Sequence, residues 1–171
     1  EAFDKAARAM GMSYPGGVHL DKIAEQGNED AFTLPHPSVQ GSPLDFSFSG
    51  LKTAVINLIH NASQKGEQLP IADLSASFRK AVVDCLLKNV ILAMNETNYK
   101  KLVIAGGVSV LRRRLQQECK EKGWEIHMPA LNLCGDNAAM VGAQAYYEFL
   151  AEKIAGMDLN ACAAMPIDNN F

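Results

Sequence analysis

Ile104-Ala-Gly-Gly-Val-Ser109 is the stretch on which the reading of the fold turns. It follows a short apolar run, Leu102-Val103-Ile104, and opens a helix-patterned stretch that ends near Lys122. A strand that delivers two glycines to a helix start lets a ligand approach the backbone closely. The helix N-terminus beyond adds unpaired N–H groups and a partial positive charge, which suit phosphate or the polar edge of a nucleotide. Turns of this kind also serve purely structural ends, so the neighbouring residues must carry the specificity.

Outward from this turn the order is strand (101–105), helix (109–122), strand (125–128) and helix (137–155), which implies parallel pairing with right-handed crossovers. The preceding hundred residues read as helical. Ala2, Phe3, Ala6, Ala7 and Met10 give a short amphipathic helix that Gly11 can end. Tyr14-Pro-Gly-Gly17 reads as a turn whose glycines permit positive φ, and a second helix covers Leu20 to Glu25. Residues 26–45 hold Gly27, Pro35, Pro37, Gly41 and Pro43 and form a long irregular connection, which is expected to pack on something or shape a site. A helix from Ser49 to about Asn61 follows, with Ser49 as its cap. A longer one runs from Asp73, a plausible N-cap, to Asn95. The middle of the longer helix, 81–94, is apolar nearly all round and belongs in an interior. The organisation expected is therefore a helical segment with a long loop (1–100), a βαβα portion (101–156) and a tail (157–171).

With 171 residues, 48% hydrophobic and 20% charged, the chain has the composition of an ordinary globular domain or one lobe of a larger protein. No apolar run reaches the length of a bilayer span. The net charge of −3 gives no global basic field for nucleic acid. A local cluster at Arg112, Arg113, Arg114, Lys120 and Lys122 reads as a solvated helix face balanced by Glu118 and Glu121. Cys85, Cys119, Cys134 and Cys162 lack CxxC spacing and fit free thiols in a reducing cytoplasm. The chain opens inside a helical pattern without an initiator methionine, and is expected to be part of a longer protein.

Asp136, in Leu133-Cys-Gly-Asp-Asn-Ala-Ala-Met-Val141, stands where the last helix begins. It is either an N-cap or a carboxylate ligand for a divalent cation, and spacing alone favours the cap. One carboxylate cannot hold a catalytic metal unaided, and His19, His36, His60 and His127 are scattered without ligand spacing. Asp45 precedes Ser47, Ser49 and Lys52, which could form an anion-contacting turn at a helix start, but a Ser49 helix cap with Asp45 and Lys52 solvated is the favoured reading. No GxSxG, HExxH or P-loop lysine motif is present.

Glu1-Ala-Phe-Asp-Lys5, Tyr14-Pro-Gly-Gly17, Asp45-Phe-Ser-Phe-Ser-Gly-Leu-Lys-Thr53, Ala76-Ser-Phe78, Ala105-Gly-Gly-Val-Ser109 and Cys134-Gly-Asp-Asn-Ala-Ala139 occur in order. Together they resemble the C-terminal half of the TsaD family, the tRNA adenosine threonylcarbamoyltransferases formerly labelled O-sialoglycoprotein endopeptidases. The Asp-Phe-Ser-Phe-Ser-Gly-Leu-Lys-Thr block is far more specific than any two-glycine turn. The resemblance implies an α/β architecture, the C-terminal lobe of an actin/Hsp70/sugar-kinase-like fold of RNase H-like lobes, with an added helical segment. It implies transfer of threonylcarbamoyl from threonylcarbamoyl-AMP to N6 of the adenosine beside the tRNA anticodon. By the same resemblance Asp4 and Gly17 hold the adenylate, Gly106 and Gly107 lie beside adenine and ribose, and Asp136 is a metal ligand. The cofactor implied is one divalent metal ion, iron or zinc. The partners implied are tRNA and proteins like TsaB and TsaE, and the location implied is cytoplasmic.

The sequence departs from the family at two of these motifs. Leu111 stands where the family commonly has a nucleotide-contacting asparagine, and Gly135 where threonine is usual. The family's N-terminal lobe, with an HxxxH metal site and a glycine-rich phosphate loop, does not occur here. The chain by itself is therefore expected to lack transferase activity. The competing expectations are a lobe of another enzyme on the same fold (a sugar kinase or carbamoyltransferase) and a non-catalytic module that binds nucleotide or protein. The peptidase label finds no support, because nothing supplies an activated nucleophile or a zinc-bound water.

Overall fold

The computed structural model describes residues 2–36, 38–106, 109–135, 137–161 and 163. Helices α1 (Ala2–Ala9), α2 (Gly16–Ala24), α3 (Ser49–Lys65) and α4 (Ile71–Thr97) come first. Strand β1 (Lys101–Val103), helix α5 (Ser109–Lys122), strand β2 (Glu125–His127), a 3-10 turn (Leu131–Leu133) and helix α6 (Ala138–Leu150) follow. The chain divides into two compact units, one of residues 1–102 and 108–126, the other of residues 103–107 and 127–171.

The first unit is built on α4. Leu74, Phe78, Ala81 and Val82 of α4 are buried with Ala6, Ala7 and Met10 of the first helical segment, Leu20 of α2, and Leu51 and Val55 of α3. The Phe3 and Phe78 rings meet edge to face, 5.4 Å between centroids. Of the apolar run 81–94, expected in an interior, Ala81, Val82, Val83, Cys85, Leu87, Asn89 and Met94 are buried, while Lys88 is exposed. A smaller cluster of Met94, Cys119 and Trp124 joins the end of α4 to α5, with Leu102 and Ile126 packed against it.

The helix starts differ from those expected. Pro70 occupies the N-cap position of α4, and Asp73 lies in the first turn. The Asp73 carboxylate is used across the chain instead, accepting the Asn28 N–H at 2.8 Å. Phe48, not Ser49, precedes α3 as its cap residue, with no side-chain cap bond. The Tyr14–Gly17 stretch is half helix, because Pro15 caps α2 and Gly16 and Gly17 form its first turn without positive φ. Gly16 is needed for close approach, since a Cβ there would lie 2.6 Å from the Ala7 Cβ. Likewise a Cβ on Gly27 would sit 2.0 Å from the Ala72 carbonyl oxygen, so the long loop can lie directly on the α4 backbone.

That loop is ordered by α4 along its length. The Phe32 N–H donates to Ser77 Oγ at 3.1 Å, Leu34 is buried, and the Asn89 amide donates to the Asp45 carbonyl at 3.0 Å. Arg79 reaches the C-terminus of α2, donating to the Asp21 and Ala24 carbonyls and pairing with the Asp21 carboxylate at 3.1 Å. A cation there offsets the negative end of the helix dipole. Arg114 leaves the basic face expected for α5 and pairs with Asp84 of α4 at 3.1 Å, while Lys122 keeps Glu118.

β1 and β2 form a two-stranded parallel sheet, with Glu125 N–H donating to the Lys100 carbonyl and Ile104 N–H to the His127 carbonyl. Both strands are shorter than the sequence pattern suggests, and α6 ends at Leu150 rather than 155. In the second unit, Asn137 is the N-cap of α6, its side chain accepting the Met140 N–H at 2.9 Å. Its amide nitrogen donates to the Gly135 and Leu133 carbonyls, clasping the preceding loop. Asp136, the other candidate for that cap, lies outside the described residues. Among the described residues no helix is long and apolar enough to cross a membrane.

Burial pushes the Cys85 and Cys119 thiols above the ordinary thiol value, with the Glu118 carboxylate adding to the effect at Cys119 and Lys88 opposing it at Cys85. A raised thiol value leaves less thiolate, so in the folded chain maleimide should label Cys134 before Cys85 or Cys119 at pH 8, checked by peptide mass mapping. Phe78→Ala should cost about 3–5 kcal/mol in urea unfolding through lost burial and the cavity left behind. Gly27→Ala should cost about 1–3 kcal/mol by the same assay, as the loop is forced off α4.

Candidate nucleotide-contacting site

Asp4 sits in the first turn of α1, and Gly17 in the first turn of α2. The two are thirteen residues apart in sequence, yet the Gly17 N–H donates to Asp4 Oδ1 at 2.8 Å. The contact exists because α1 and α2 pack closely through Ala7 and Gly16. Pro15 has no hydrogen-bonding side chain to cap α2, so Asp4 supplies the carboxylate that its N-terminus lacks locally.

A cavity of about 480 Å³ opens at this point, lined by Asp4, Lys5, Arg8, Met12, Ser13, Tyr14 and Gly16. Asp4 and Arg8, one helical turn apart, share a face of α1. A carboxylate with one oxygen bound to a backbone N–H still has acceptor capacity for hydroxyl groups, and the cationic side chains beside it favour an anion. The arrangement can therefore take a polyhydroxylated, anionic molecule. A neighbouring hollow of about 340 Å³ is lined by Ala2, Lys5, Phe48, Ser49 and Lys52. Lys52 and Ser49 thus do border a common space, while the Asp45 carbonyl is taken by Asn89.

The remaining candidates are placed as follows. Gly106 ends the strand region in the second unit at φ +105°, a conformation that a side chain would strain. Gly107 lies outside the described residues. Leu111 is half-buried in the first turn of α5, in the first unit. Among the described residues no group of three or more histidine, cysteine or carboxylate side chains converges in a way that could hold a metal ion. The described donor set therefore does not fit a metal centre by itself, and Asp136 is outside it.

Two polar groups escaped the sequence reading. Asp84 receives both Lys80, at 3.4 Å, and Arg114, at 3.1 Å, and Lys80 also reaches Asp30 of the long loop. The Asp84 carboxylate, chiefly, and Asp30 hold the Lys80 ammonium above its usual value. Asp30, Lys80 and Asp84 border a polar pocket of about 140 Å³ with Glu29, Thr33 and His36. The only advance sign was the i,i+4 spacing of Lys80 and Asp84, which is common on helices.

The molecule is thus a mixed α/β protein with a parallel strand pair and, beside α1 and α2, a cavity that Asp4 lines. A profile of the TsaD family, described as tRNA N6-adenosine threonylcarbamoyltransferase, matches residues 1–143. The chain belongs to that family. A protein of that name from Clostridium botulinum (strain Kyoto / Type A2) is 48% identical over 164 residues, covering 94% of this chain and 48% of the relative. One from Moorella thermoacetica is 44% identical over 171 residues, covering 98% of this chain and 50% of the relative. One from Clostridium perfringens (strain SM101 / Type A) is 46% identical over 164 residues, with the same 94% and 48% coverage. The chain spans about half the length of the curated relatives it matches.

Asp4→Ala should expose the Gly17 amide and remove the helix cap. The expected result is a loss of about 1–2 kcal/mol in urea unfolding and faster hydrogen exchange at Gly17, measured by NMR.

Proposed function

We propose that this chain is one lobe of a threonylcarbamoyl transferase with an actin/Hsp70/sugar-kinase-like architecture. Its substrates would be threonylcarbamoyl-AMP and the adenosine beside the anticodon of tRNA. The observation that carries the reading is the Asp4–Gly17 hydrogen bond at the edge of a cavity of about 480 Å³, in a chain whose relatives bear the transferase name.

In this reading N6 of adenosine attacks the carbamoyl carbon of the mixed anhydride, the bond from that carbon to the phosphate oxygen breaks, and AMP leaves as the N6 proton is lost. The residues of this chain bind and orient. Asp4 accepts hydrogen bonds from ribose hydroxyls while Gly17 holds its carboxylate in place, and Lys5 and Arg8 offset anionic charge. Gly106 and Gly107 let the nucleoside lie against the backbone. Asp136 is assigned as the ligand this chain gives to a divalent cation, iron or zinc, which would offset charge on the leaving phosphate. The ion's remaining ligands would come from the part of the family not represented in this sequence, and tRNA and TsaB- or TsaE-like proteins are the partners proposed. A cytoplasmic location follows from the same reading.

A second reading, a nucleotide- or protein-binding module without catalysis, is favoured by Leu111, an apolar side chain where the family carries an amide. Titration calorimetry with AMP tests the site. Wild-type chain should bind, and Asp4→Asn should weaken binding about tenfold or more, in line with the loss of a charged hydrogen bond worth about 1.5–3 kcal/mol. No binding at millimolar AMP sinks the site. Incubation of the chain alone with threonylcarbamoyl-AMP and tRNA should yield no modified adenosine by mass spectrometry of nucleosides, and product formation would overturn the single-lobe reading.

A further inference from the structure

Phe46 and Phe48 lie on the chain that enters α3, their ring centroids 6.3 Å apart and their planes within 6° of parallel. Phe48 is partly buried and packs against the core of the first unit, whereas Phe46 is 45% exposed. A firmly held ring thus carries an exposed one beside it. Phe48 also lines the hollow of about 340 Å³, with Ala2, Lys5, Ser49 and Lys52. Among the described residues no carboxylate lines that hollow, and Asp45, next to Phe46 in sequence, borders a different pocket with Asn89. A lysine-lined hollow beside flat aromatic rings has the chemistry of a single-strand nucleic-acid site, where bases stack on rings and cations meet phosphates.

Lys5 ties this hollow to the site already described. It lines both the hollow and the cavity of about 480 Å³ that Asp4 and Arg8 border. Transfer between two bound substrates requires two adjoining sites, one for the donor and one for the acceptor. The Asp4 cavity takes the donor in the reading above, which leaves the hollow for the acceptor. A paired duplex fits poorly, because its bases cannot reach the rings. An apolar protein surface also fits poorly, because closing over the hollow would desolvate the lysines that line it.

We propose that Phe46, Phe48, Ser49 and Lys52 form the acceptor subsite, a surface for single-stranded RNA beside the donor cavity. Phe46 stacks an unpaired base that neighbours the reacting adenosine, and Ser49 and Lys52 contact its phosphate. The proposal rests on the transferase reading and adds to it the surface on which the RNA loop lies.

The test is fluorescence anisotropy of a labelled stem-loop RNA, with an adenosine in its unpaired loop, titrated with this chain. Binding is expected to be about tenfold or more tighter than to the fully paired stem. Phe46→Leu, apolar but not flat, should weaken it about fivefold or more, the low end of base–aromatic stacking, and Phe46→Trp should retain it. Lys52→Gln should lower the log–log salt slope by about 0.7, the share of one phosphate on a single strand. Urea unfolding and AMP affinity should be unchanged in Phe46→Leu, since that ring is exposed and outside the donor cavity. Four results overturn the proposal: RNA that AMP displaces, RNA binding by Phe46→Leu equal to wild type, a loss with Lys120→Gln on α5 as large as with Lys52→Gln, and a chain dimer that Phe46→Leu dissolves. Absence of RNA binding while AMP still binds overturns this inference alone, and absence of both overturns the donor site with it. RNA binding that obeys the variants in a chain that does not bind AMP supports the acceptor surface and sinks the donor site.

Discussion

The buried face of α4 is the constraint on which the first unit depends. Phe78 and its neighbours Leu74, Ala81 and Val82 are the surface against which α1, α2 and α3 find their places. Because interiors pack as densely as organic crystals, a helix set on such a surface has little freedom to slide. The demand is sharp enough that two glycines are dictated by contact alone, Gly16 against Ala7 and Gly27 against the Ala72 carbonyl. The long loop is not loose for the same reason. It is tied to α4 by Asp73, Ser77 and Asn89, polar side chains on the helix that holds the hydrophobic core.

The Asp4 site is a by-product of that packing. Once α1 and α2 are pressed together, the carboxylate of one meets the N-terminus of the other. A single hydrogen bond then fixes that carboxylate at the edge of the cavity. A capping role and a binding role for such an aspartate need not compete, since the carboxylate offers more lone pairs than one backbone N–H can fill. At the start of α6 the capping role falls to Asn137. Its side chain accepts the Met140 N–H and its amide clasps the preceding loop through the Leu133 and Gly135 carbonyls.

The order of helices and strands and the burial along the long helix were legible in the chain, because periodicity and composition are local properties. Helix starts were less so. Asp73 and Ser49 both have the chemistry of caps, and both were displaced by one or more residues when Pro70 and Phe48 took the positions. Asp73 was drawn off by Asn28, forty-five residues away, and a local pattern contains no sign of such a partner. Arg114 shows the same limit. By spacing it belongs to a solvated face, yet it pairs with Asp84 on another helix.

By itself the sequence determined the family, the α/β class and the candidate residues Asp4, Gly17, Gly106, Gly107, Leu111 and Asp136, since these rest on residue identity and order. Only the tertiary structure decided that Asp4 and Gly17 touch, that Asn137 caps α6, that Asp84 gathers two cations, and that α6 is left uncovered. Each of these depends on distances between side chains far apart in the chain, or on which surface lacks a neighbour. Such distances are fixed by close packing, and no local reading of residue types contains them.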